Sequence, residues 1–291
     1  MRFVSFQRDN EDRVGLRQGD EVIDLSKAAP DLPGSLLGLL QGGPDALARA
    51  SGSADTAGSD ARLAVDTLTF LPLIPRPPKI ICFGRNYAAH AAEGGAETPT
   101  YPEIFYRGAT SLVAHGQPIR RPACSDKLDY EAEVAAIIGQ RARHVAEDDA
   151  LSVIAGYTLF NEATIRDYQR KSSQWTIGKN FDNTGAFGPE LVSADELPPG
   201  AHGLRIQSRL NGTVMQDANT EDLVFPIARL IAILTECMTL EPGDVIVTGT
   251  PSGVGYARTP PVFMHDGDVC EVEVDGIGVL MNPVKDEEIA G

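Results

Sequence analysis

Short apolar and polar runs alternate through the start of the chain. The first 24 residues contain three such runs separated by polar turns, and they predict a small β-meander. A weakly helical stretch follows, and then come GSADTAGSDAR and the proline-rich PLIPRPPK. Because such punctuation is typical of a boundary between domains, we expect a small N-terminal accessory domain over residues 1–75 and a larger domain over residues 76–291.

The pattern changes at Lys79, where short apolar runs bounded by glycine and proline begin. We interpret the following runs as strands: KIICFG, AEVAAIIG, AGYTLFNE, LRIQSRLNG, DVIVTG and DVCEVEVDGIGVL. Apolar residues recur at helical spacing near residues 224–238, and a second, short helix is expected at residues 165–171. We therefore expect a mainly β protein of the α+β class.

One of these strands carries an unusual set of charges. In LDYEAEVAAIIG, residues 128–139, Asp129, Glu131 and Glu133 alternate with apolar residues. Because side chains in a strand alternate between its two faces, the three acids are expected to point the same way. Such a face fits either a solvent-exposed strand, which the spacing alone favours, or a set of carboxylates that surrounds a cation.

A further carboxylate, Glu162 in FNEATIRD, is a candidate to join Glu131 and Glu133 as a metal ligand. Oxygen ligands on rigid strands suit Mg²⁺, Mn²⁺ or Ca²⁺, whereas zinc usually takes His or Cys. Asp129 lies one step further out, and we expect it either behind the metal ligands or on the surface.

The segment GRNYAAHAAE, residues 84–93, contains a candidate general base. His90 and Glu93 are three residues apart, so they share a face if the segment is helical. A carboxylate that contacts an imidazole holds its orientation and raises its basicity, which allows the imidazole to take a proton near neutral pH. The alternative is a surface histidine with an incidental neighbour.

Two glycine-rich segments offer further polar groups. Lys179 lies beside Gly178 in WTIGKNFDNTGAFGP, which we interpret as a loop, and it could meet a carboxylate or an enolate oxygen. Thr250 lies in TLEPGDVIVTGTPSGVG, where a strand leads into a turn whose N–H groups could bind an oxyanion. A surface lysine and a plain turn are the alternatives.

Charge and composition exclude several kinds of partner. The net charge of −16, from 41 acidic and 25 basic residues, argues against nucleic acid, and any anionic ligand needs local Arg and Lys. The start of the chain has no secretory apolar region, and the longest apolar stretch, VFPIARLIAIL, is too short to span a membrane. Four well-separated cysteines predict free thiols, and we expect a cytoplasmic protein without a membrane partner.

In their order along the chain, these motifs resemble the fumarylacetoacetate hydrolase family. The match covers nearly all of residues 79–285 and runs through KIICFGRNYAAHAAE, PEIFYRGATSLVAHGQPI, LDYEAEVAAIIG, GYTLFNEATIRDYQ, QWTIGKNFDNTGAFGP, TLEPGDVIVTGTPSGVG and DVCEVEVDGIGVLMNPV. The resemblance implies a β-roll or sandwich with a divalent metal, a homodimer, and a small β-rich N-terminal domain like that of bacterial members.

The resemblance also implies roles for individual residues. Glu131, Glu133 and Glu162 match the family's metal ligands, although the third ligand is normally Asp. His90 and Glu93 match a water-activating pair on a segment that substrate orders, and Lys179 joins them in the catalytic set. Substrate contacts are expected from Arg85, Tyr87, Arg107 (Lys in many relatives), Arg166, Gln169, Lys179 and Thr250.

The implied activity is metal-dependent hydrolysis of a C–C bond in an acylpyruvate or related 2,4-diketo acid, such as fumarylpyruvate or fumarylacetoacetate, in aromatic catabolism. The small anionic substrate would chelate Mg²⁺ or Mn²⁺ as its enolate, and His90, held by Glu93, would take a proton from water. Oxaloacetate decarboxylation and isomerisation or hydration of a 2-oxo-dienoate are alternatives on the same fold. A non-catalytic ligand- or metal-binding protein is a third class, which the presence of His90 and Glu93 disfavours.

Overall fold

A computed structural model of the protein describes residues 1–288. The predicted N-terminal meander is confirmed as β1 (Arg2–Arg8), β2 (Glu11–Gln18) and β3 (Glu21–Asp24). The weakly helical stretch forms α1 (Leu25–Ala28), α2 (Leu36–Gln41) and α3 (Gly43–Ser53), and two short strands follow, β4 (Arg62–Ala64) and β5 (Thr69–Phe70).

The rest of the chain is mostly strand, as the sequence predicts. The strands are β6 (Ile80–Gly84), β7 (Glu103–Tyr106), β8 (Leu112–Val113), β9 (Ile119–Arg121), β10 (Leu128–Asp129), β11 (Ala132–Ile138), β12 (Ile154–Glu162), β13 (Thr164–Ile165), β14 (Gly185–Ser193), β15 (Arg205–Leu210), β16 (Thr213–Asn219), β17 (Val245–Val247), β18 (Val269–Val274) and β19 (Gly278–Asp286). The helices are α4 (Ala88–Glu93), α5 (Arg166–Gln169), α6 (Thr176–Lys179) and α7 (Ile227–Cys237). The mainly β, α+β class is therefore confirmed.

The strands form one long sheet and one smaller sheet. The long sheet has the order β4-β3-β2-β1-β14-β12-β11-β17-β6-β7, with β5 paired to β1 and β8 to β14. The smaller sheet has the order β16-β15-β18-β19-β9, and β10 pairs with β13 alone. Since Phe3 of β1 lies opposite Leu191 of β14, the N-terminal meander extends the sheet of the larger region. The domain boundary at residue 75 stays a prediction.

Strand β11 is buried along its whole length because both faces of the long sheet are covered. Val134 and Ala136 pack in a core that includes α7, whereas Ala135 and Ile137 pack in a second core with residues of β1 and α2. A strand covered on both faces has an apolar sequence without alternation, as AEVAAII shows. The alternative of a solvent-exposed strand at residues 128–139 is therefore wrong.

Two local predictions need correction. The glycine-rich segment 175–189, interpreted as a loop, contains the start of β14, a buried nine-residue strand. Gly185 is needed in this strand because a Cβ there would come within 2.5 Å of the Arg107 guanidinium. The short helix expected at residues 165–171 is a single turn, Arg166–Gln169. None of the helices within residues 1–288 is long and apolar enough to cross a membrane.

Candidate active site

The ends of β6, β11 and β12 border a cavity of about 300 Å³. This volume is at the lower end of what small-ligand pockets usually offer. The cavity is lined by Phe83, Gly84, Arg85, His90, Ala91, Gly94, Phe105, Glu131, Glu133, Glu162, Arg166, Gln169, Arg170, Trp175, Lys179, Thr250 and Tyr256.

Three buried carboxylates converge at the inner end of this cavity. Glu131, Glu133 and Glu162 each offer an oxygen, and these oxygens lie within 4.8 Å of one another. The antiparallel pairing of β11 with β12 explains the cluster, since the N–H of Glu162 donates to the carbonyl of Glu131 at 2.9 Å. Glu131 directly precedes β11 and Glu133 is the second residue of that strand, so their side chains, two positions apart in extended backbone, point to the same side.

Cationic side chains surround two of the three carboxylates. Lys179 Nζ lies 2.7 Å from Glu131 and 3.4 Å from Glu162, and Arg107 Nε lies 3.1 Å from Glu162. Arg166 Nη1 lies 2.6 Å from Glu131. Burial raises the pKa of Glu131, but the charges of Lys179 and Arg166 outweigh it and lower this pKa to about 2. Glu131 is therefore ionised in the folded protein.

Glu133 has a different environment. Its Oε2 accepts the Gly249 N–H at 2.5 Å, but no Lys, Arg or His nitrogen in the described chain lies within 4.0 Å of it. Burial, followed by the charges of Glu162 and Glu131, raises the pKa of Glu133 well above its ordinary value. A buried carboxylate that lacks a cation fits the place of a metal ion, and an all-oxygen ligand set suits Mg²⁺, Mn²⁺ or Ca²⁺. The cluster could therefore hold a divalent metal.

His90 of α4 lines the same cavity, and Glu93 at the end of this helix contacts its ring. His90 Nδ1 lies 2.8 Å from Glu93 Oε1, and Glu93 Oε2 accepts the N–H of Gly253 at 2.8 Å. A carboxylate at Nδ1 favours the tautomer with the proton on that nitrogen, which leaves Nε2 as the proton acceptor. The pair thus has the geometry of an oriented base beside the carboxylate cluster.

Asp129 connects the cluster to the loop that holds Glu93. It is fully buried, so the alternative of a surface acid is wrong. Its carboxylate accepts hydrogen bonds from Arg166 Nε at 2.7 Å and from the N–H groups of Gly255 at 2.8 Å and Tyr256 at 3.0 Å. Because Gly253 lies in the same loop, one acid anchors both the guanidinium beside Glu131 and the backbone beside Glu93.

We expect Asp129→Asn to lower the free energy of unfolding by about 3 kcal/mol, because an amide nitrogen would face donors at Arg166 and Tyr256 and leave a buried guanidinium underpaired. Urea denaturation of the metal-free protein measures this change. Asp126→Asn is the matched control, since Asp126 is exposed and, within residues 1–288, has an ion pair only with Lys127, and we expect almost no change there. Equal stability of both variants would contradict the anchoring role of Asp129.

The remaining predicted substrate contacts divide into two groups. Arg85, Arg166, Gln169, Lys179 and Thr250 line the cavity with His90. Tyr87 and Arg107 are buried and do not belong to the lining. Arg107 instead lies behind Glu162, where it also donates to the carbonyl of Ala163 at 2.5 Å. In this structure its contact is with a metal-ligand candidate rather than with the space for substrate.

Several lining residues were not predicted as site residues from the sequence: Phe83, Phe105, Arg170, Trp175 and Tyr256. Trp175 carries the clearest signal, since it is the single tryptophan of the sequence and stands in a segment already singled out for its glycines. Its ring packs over Gly84, where a Cβ would come within 2.1 Å of it. The others come from distant parts of the chain, which only the fold brings together.

This combination of fold and site defines a known class of enzymes. The model of the fumarylacetoacetate (FAA) hydrolase C-terminal family matches residues 79–285. The chain therefore belongs to the fumarylacetoacetate hydrolase family, and its β-rich α+β fold is the fold of that family.

Individual relatives within this family carry several activities. The chain is 40% identical to the mitochondrial oxaloacetate tautomerase fahd2 of Xenopus laevis, over 98% of this chain and 90% of the relative. A fumarylacetoacetate hydrolase structure from Exiguobacterium antarcticum has a TM-score of 0.87 and 33% identity, covering 99% of this chain and 100% of that one. Maleylpyruvate hydrolase from Sphingobium sp. SYK-6, in complex with manganese(II) and pyruvate, has a TM-score of 0.83 and 27% identity over the same shares.

Proposed function

We propose that this enzyme catalyses the keto–enol interconversion of a small 2-oxo dicarboxylic acid, with oxaloacetate as the first candidate. The observation that carries the proposal is that His90, which is paired with Glu93, lines the same cavity as the three carboxylates. The similarity to oxaloacetate tautomerases extends over 98% of the chain, which favours this reaction over the others known in the family.

Glu131, Glu133 and Glu162 would hold the metal, for which Mg²⁺ or Mn²⁺ is proposed and Ca²⁺ also fits the ligand type. When bound, such an ion acts as a Lewis acid on the 2-oxo group and makes the neighbouring C–H more acidic. Glu162 has the same charge as the Asp that the resemblance to the family implies at this position, and Arg107 at 3.1 Å holds its longer side chain.

His90 would move the proton. In the direction from enol to keto, its Nε2 takes the proton of the enol oxygen, and a proton is returned to carbon 3, so that no bond between carbons breaks. Glu93 stabilises the imidazolium that forms in between, because its carboxylate lies 2.8 Å from Nδ1.

Arg166, Lys179 and Thr250 would hold the substrate. Arg166 Nη2 is buried and has no hydrogen-bond partner within residues 1–288, so a substrate carboxylate would satisfy it. Lys179 supplies a second positive charge next to Glu131, and Thr250 lines the same cavity.

Enol-oxaloacetate is the direct test substrate. We expect the purified enzyme with Mg²⁺ or Mn²⁺ to accelerate the loss of enol absorbance by at least about 100-fold over buffer with the same metal, with keto-oxaloacetate as the product by NMR. An unchanged rate would count against the proposal. If the products are pyruvate and CO₂, the reaction is decarboxylation rather than tautomerisation.

Hydrolysis of an acylpyruvate is the second candidate, and the similarity to maleylpyruvate hydrolase over 99% of this chain supports it. His90 would then take a proton from water, which adds to the distal carbonyl before the C–C bond breaks. Mass spectrometry after incubation with fumarylpyruvate and acetylpyruvate separates the two candidates, because only hydrolysis releases pyruvate and a second acid. Incubation with a 2-oxo-dienoate, followed by mass spectrometry and NMR, would reveal its hydration or isomerisation.

We also propose a cytoplasmic homodimer. The free cysteines Cys82, Cys124, Cys237 and Cys270 support a reducing compartment. Exposed apolar side chains along the edge strand β7 and just before it, namely Tyr101, Ile104 and Tyr106, support a partner surface.

A further inference from the structure

The ring of Tyr256 contacts two guanidinium groups at the cavity. The Cζ atoms of Arg166 and Arg170 each lie 4.5 Å from the centroid of this ring. Both arginines line the cavity, but Arg166 is buried and Arg170 is exposed. Tyr256 therefore joins an inner cation at the carboxylate cluster to an outer cation at the cavity mouth.

The position of Tyr256 is fixed from two sides. Its backbone N–H donates to the buried carboxylate of Asp129 at 3.0 Å. Its hydroxyl lies against the end of α4, because a Cβ on Gly94 would come within 2.7 Å of that oxygen. A ring held in this way is a rigid surface on which a guanidinium can stack.

Arg170 differs from the other cations of the cavity wall in having no acidic partner among residues 1–288. Lys179 and Arg166 pair with the carboxylate cluster, and Arg85 pairs with Glu103 at 3.1 Å. In the part of the chain that the structure describes, the Arg170 guanidinium has no carboxylate within 4.0 Å and no hydrogen bond. Its charge and its N–H groups are therefore available to a ligand.

We propose that Arg170, stacked on Tyr256, binds the second carboxylate of a dicarboxylate substrate. The proposal rests on the proposed function and specifies its substrate class. A guanidinium on an aromatic ring keeps the N–H groups along its edge free, and these match the two oxygens of a carboxylate.

The spacing of the two arginines favours a short dicarboxylate. Their Cζ atoms lie no further apart than twice 4.5 Å, because both are measured to one ring centroid. In a four-carbon dicarboxylate the carboxyl carbons are separated by three C–C bonds of about 1.5 Å each. One carboxylate can then satisfy the free Nη2 of Arg166 while the other meets Arg170.

One pair of ligands and one pair of variants test this subsite. L-malate and L-2-hydroxybutyrate have the same carbon chain and differ by a carboxylate in place of a methyl group, and neither reacts. Arg170→Gln removes the proposed contact. Lys171→Gln is the matched control, since Lys171 is the next residue, is exposed, stacks on Tyr168 and lies outside the cavity lining.

Calorimetric titration of the Mn²⁺-loaded protein should show that Arg170→Gln weakens malate binding by about 10- to 100-fold, as expected for a charge-assisted pair of hydrogen bonds. Binding of 2-hydroxybutyrate should change by less than about 3-fold, and Lys171→Gln should leave both ligands within about 2-fold. Arg170→Lys should retain part of the malate affinity, because lysine keeps the positive charge but lacks the paired N–H groups of the guanidinium. In turnover of oxaloacetate, Arg170→Gln should raise KM far more than it lowers kcat.

The subsite is overturned if Arg170→Gln and Lys171→Gln behave alike, if both ligands weaken equally, or if the wild-type protein does not prefer malate. Failure of the proposed function has a different signature. If oxaloacetate is not tautomerised but the preference for malate over 2-hydroxybutyrate still depends on Arg170, the subsite is supported and the proposed reaction is wrong.

Discussion

Replacing Glu133 by glutamine is expected to remove Mn²⁺ binding at this site and to lower turnover by at least about 1,000-fold, while the protein stays folded. Glu133 is the ligand candidate with no cationic partner in the described chain, and its pKa is raised by burial and then by Glu162 and Glu131. A neutral side chain of the same shape relieves this repulsion. We therefore expect the metal-free variant to be at least as stable as the wild type.

Thermal unfolding with and without Mn²⁺ measures both effects. The wild type should gain stability as Mn²⁺ is added, because an ion that binds only the folded state shifts the unfolding equilibrium, and the Glu133→Gln variant should not. Glu147→Gln is a suitable control, since it removes the same charge from an exposed pair with Arg229. A Glu133→Gln variant that kept the Mn²⁺ response would show that the ion binds elsewhere.

Replacing His90 by asparagine is expected to lower kcat by about 100- to 10,000-fold, the usual contribution of a positioned general base. Asparagine places an N–H near the position of Nδ1, so the hydrogen bond to Glu93 can persist, but it has no counterpart of the basic Nε2. Stopped-flow measurement of enol absorbance gives kcat, and calorimetry gives the affinity for Mn²⁺, which should not change.

The control for this variant is His202→Asn, which alters an exposed histidine outside the cavity lining. It should have wild-type kcat. If His90→Asn retained kcat, the base would have to be another group. If it lost Mn²⁺ affinity together with kcat, His90 would act on the metal site rather than as a proton carrier.

Periodic patterns in the sequence were enough to predict much of the site. Alternation at the start of β11 places Glu133 on the same side as Glu131, which directly precedes the strand, and helical spacing places His90 next to Glu93. What alternation could not decide was whether the face with the acids meets solvent or an enclosed cavity. That depends on the smaller sheet and α7, whose residues share a core with one face of β11, and on the N-terminal region, including α2, whose residues share a core with the other face.

Long-range contacts explain most of what the sequence did not show. Arg107 was expected to touch substrate, but the register that sets it beside Gly185 places it behind Glu162. Tyr256 and Arg170 are 86 positions apart in the sequence, and neither lies in a motif with a chemical meaning of its own. The contact between them depends on how Asp129 folds the loop before Tyr256, which local propensity does not encode.

A crystal structure of the enzyme grown with Mn²⁺ and L-malate, with anomalous scattering recorded at the manganese edge, tests the central claim most directly. We predict one anomalous peak among the carboxylates of Glu131, Glu133 and Glu162, with malate between this ion and His90 Nε2. An anomalous peak at another place would contradict the account of this cavity as a metal-dependent active site. The absence of any peak, with Lys179 and Arg166 alone neutralising the three carboxylates, would contradict it as well.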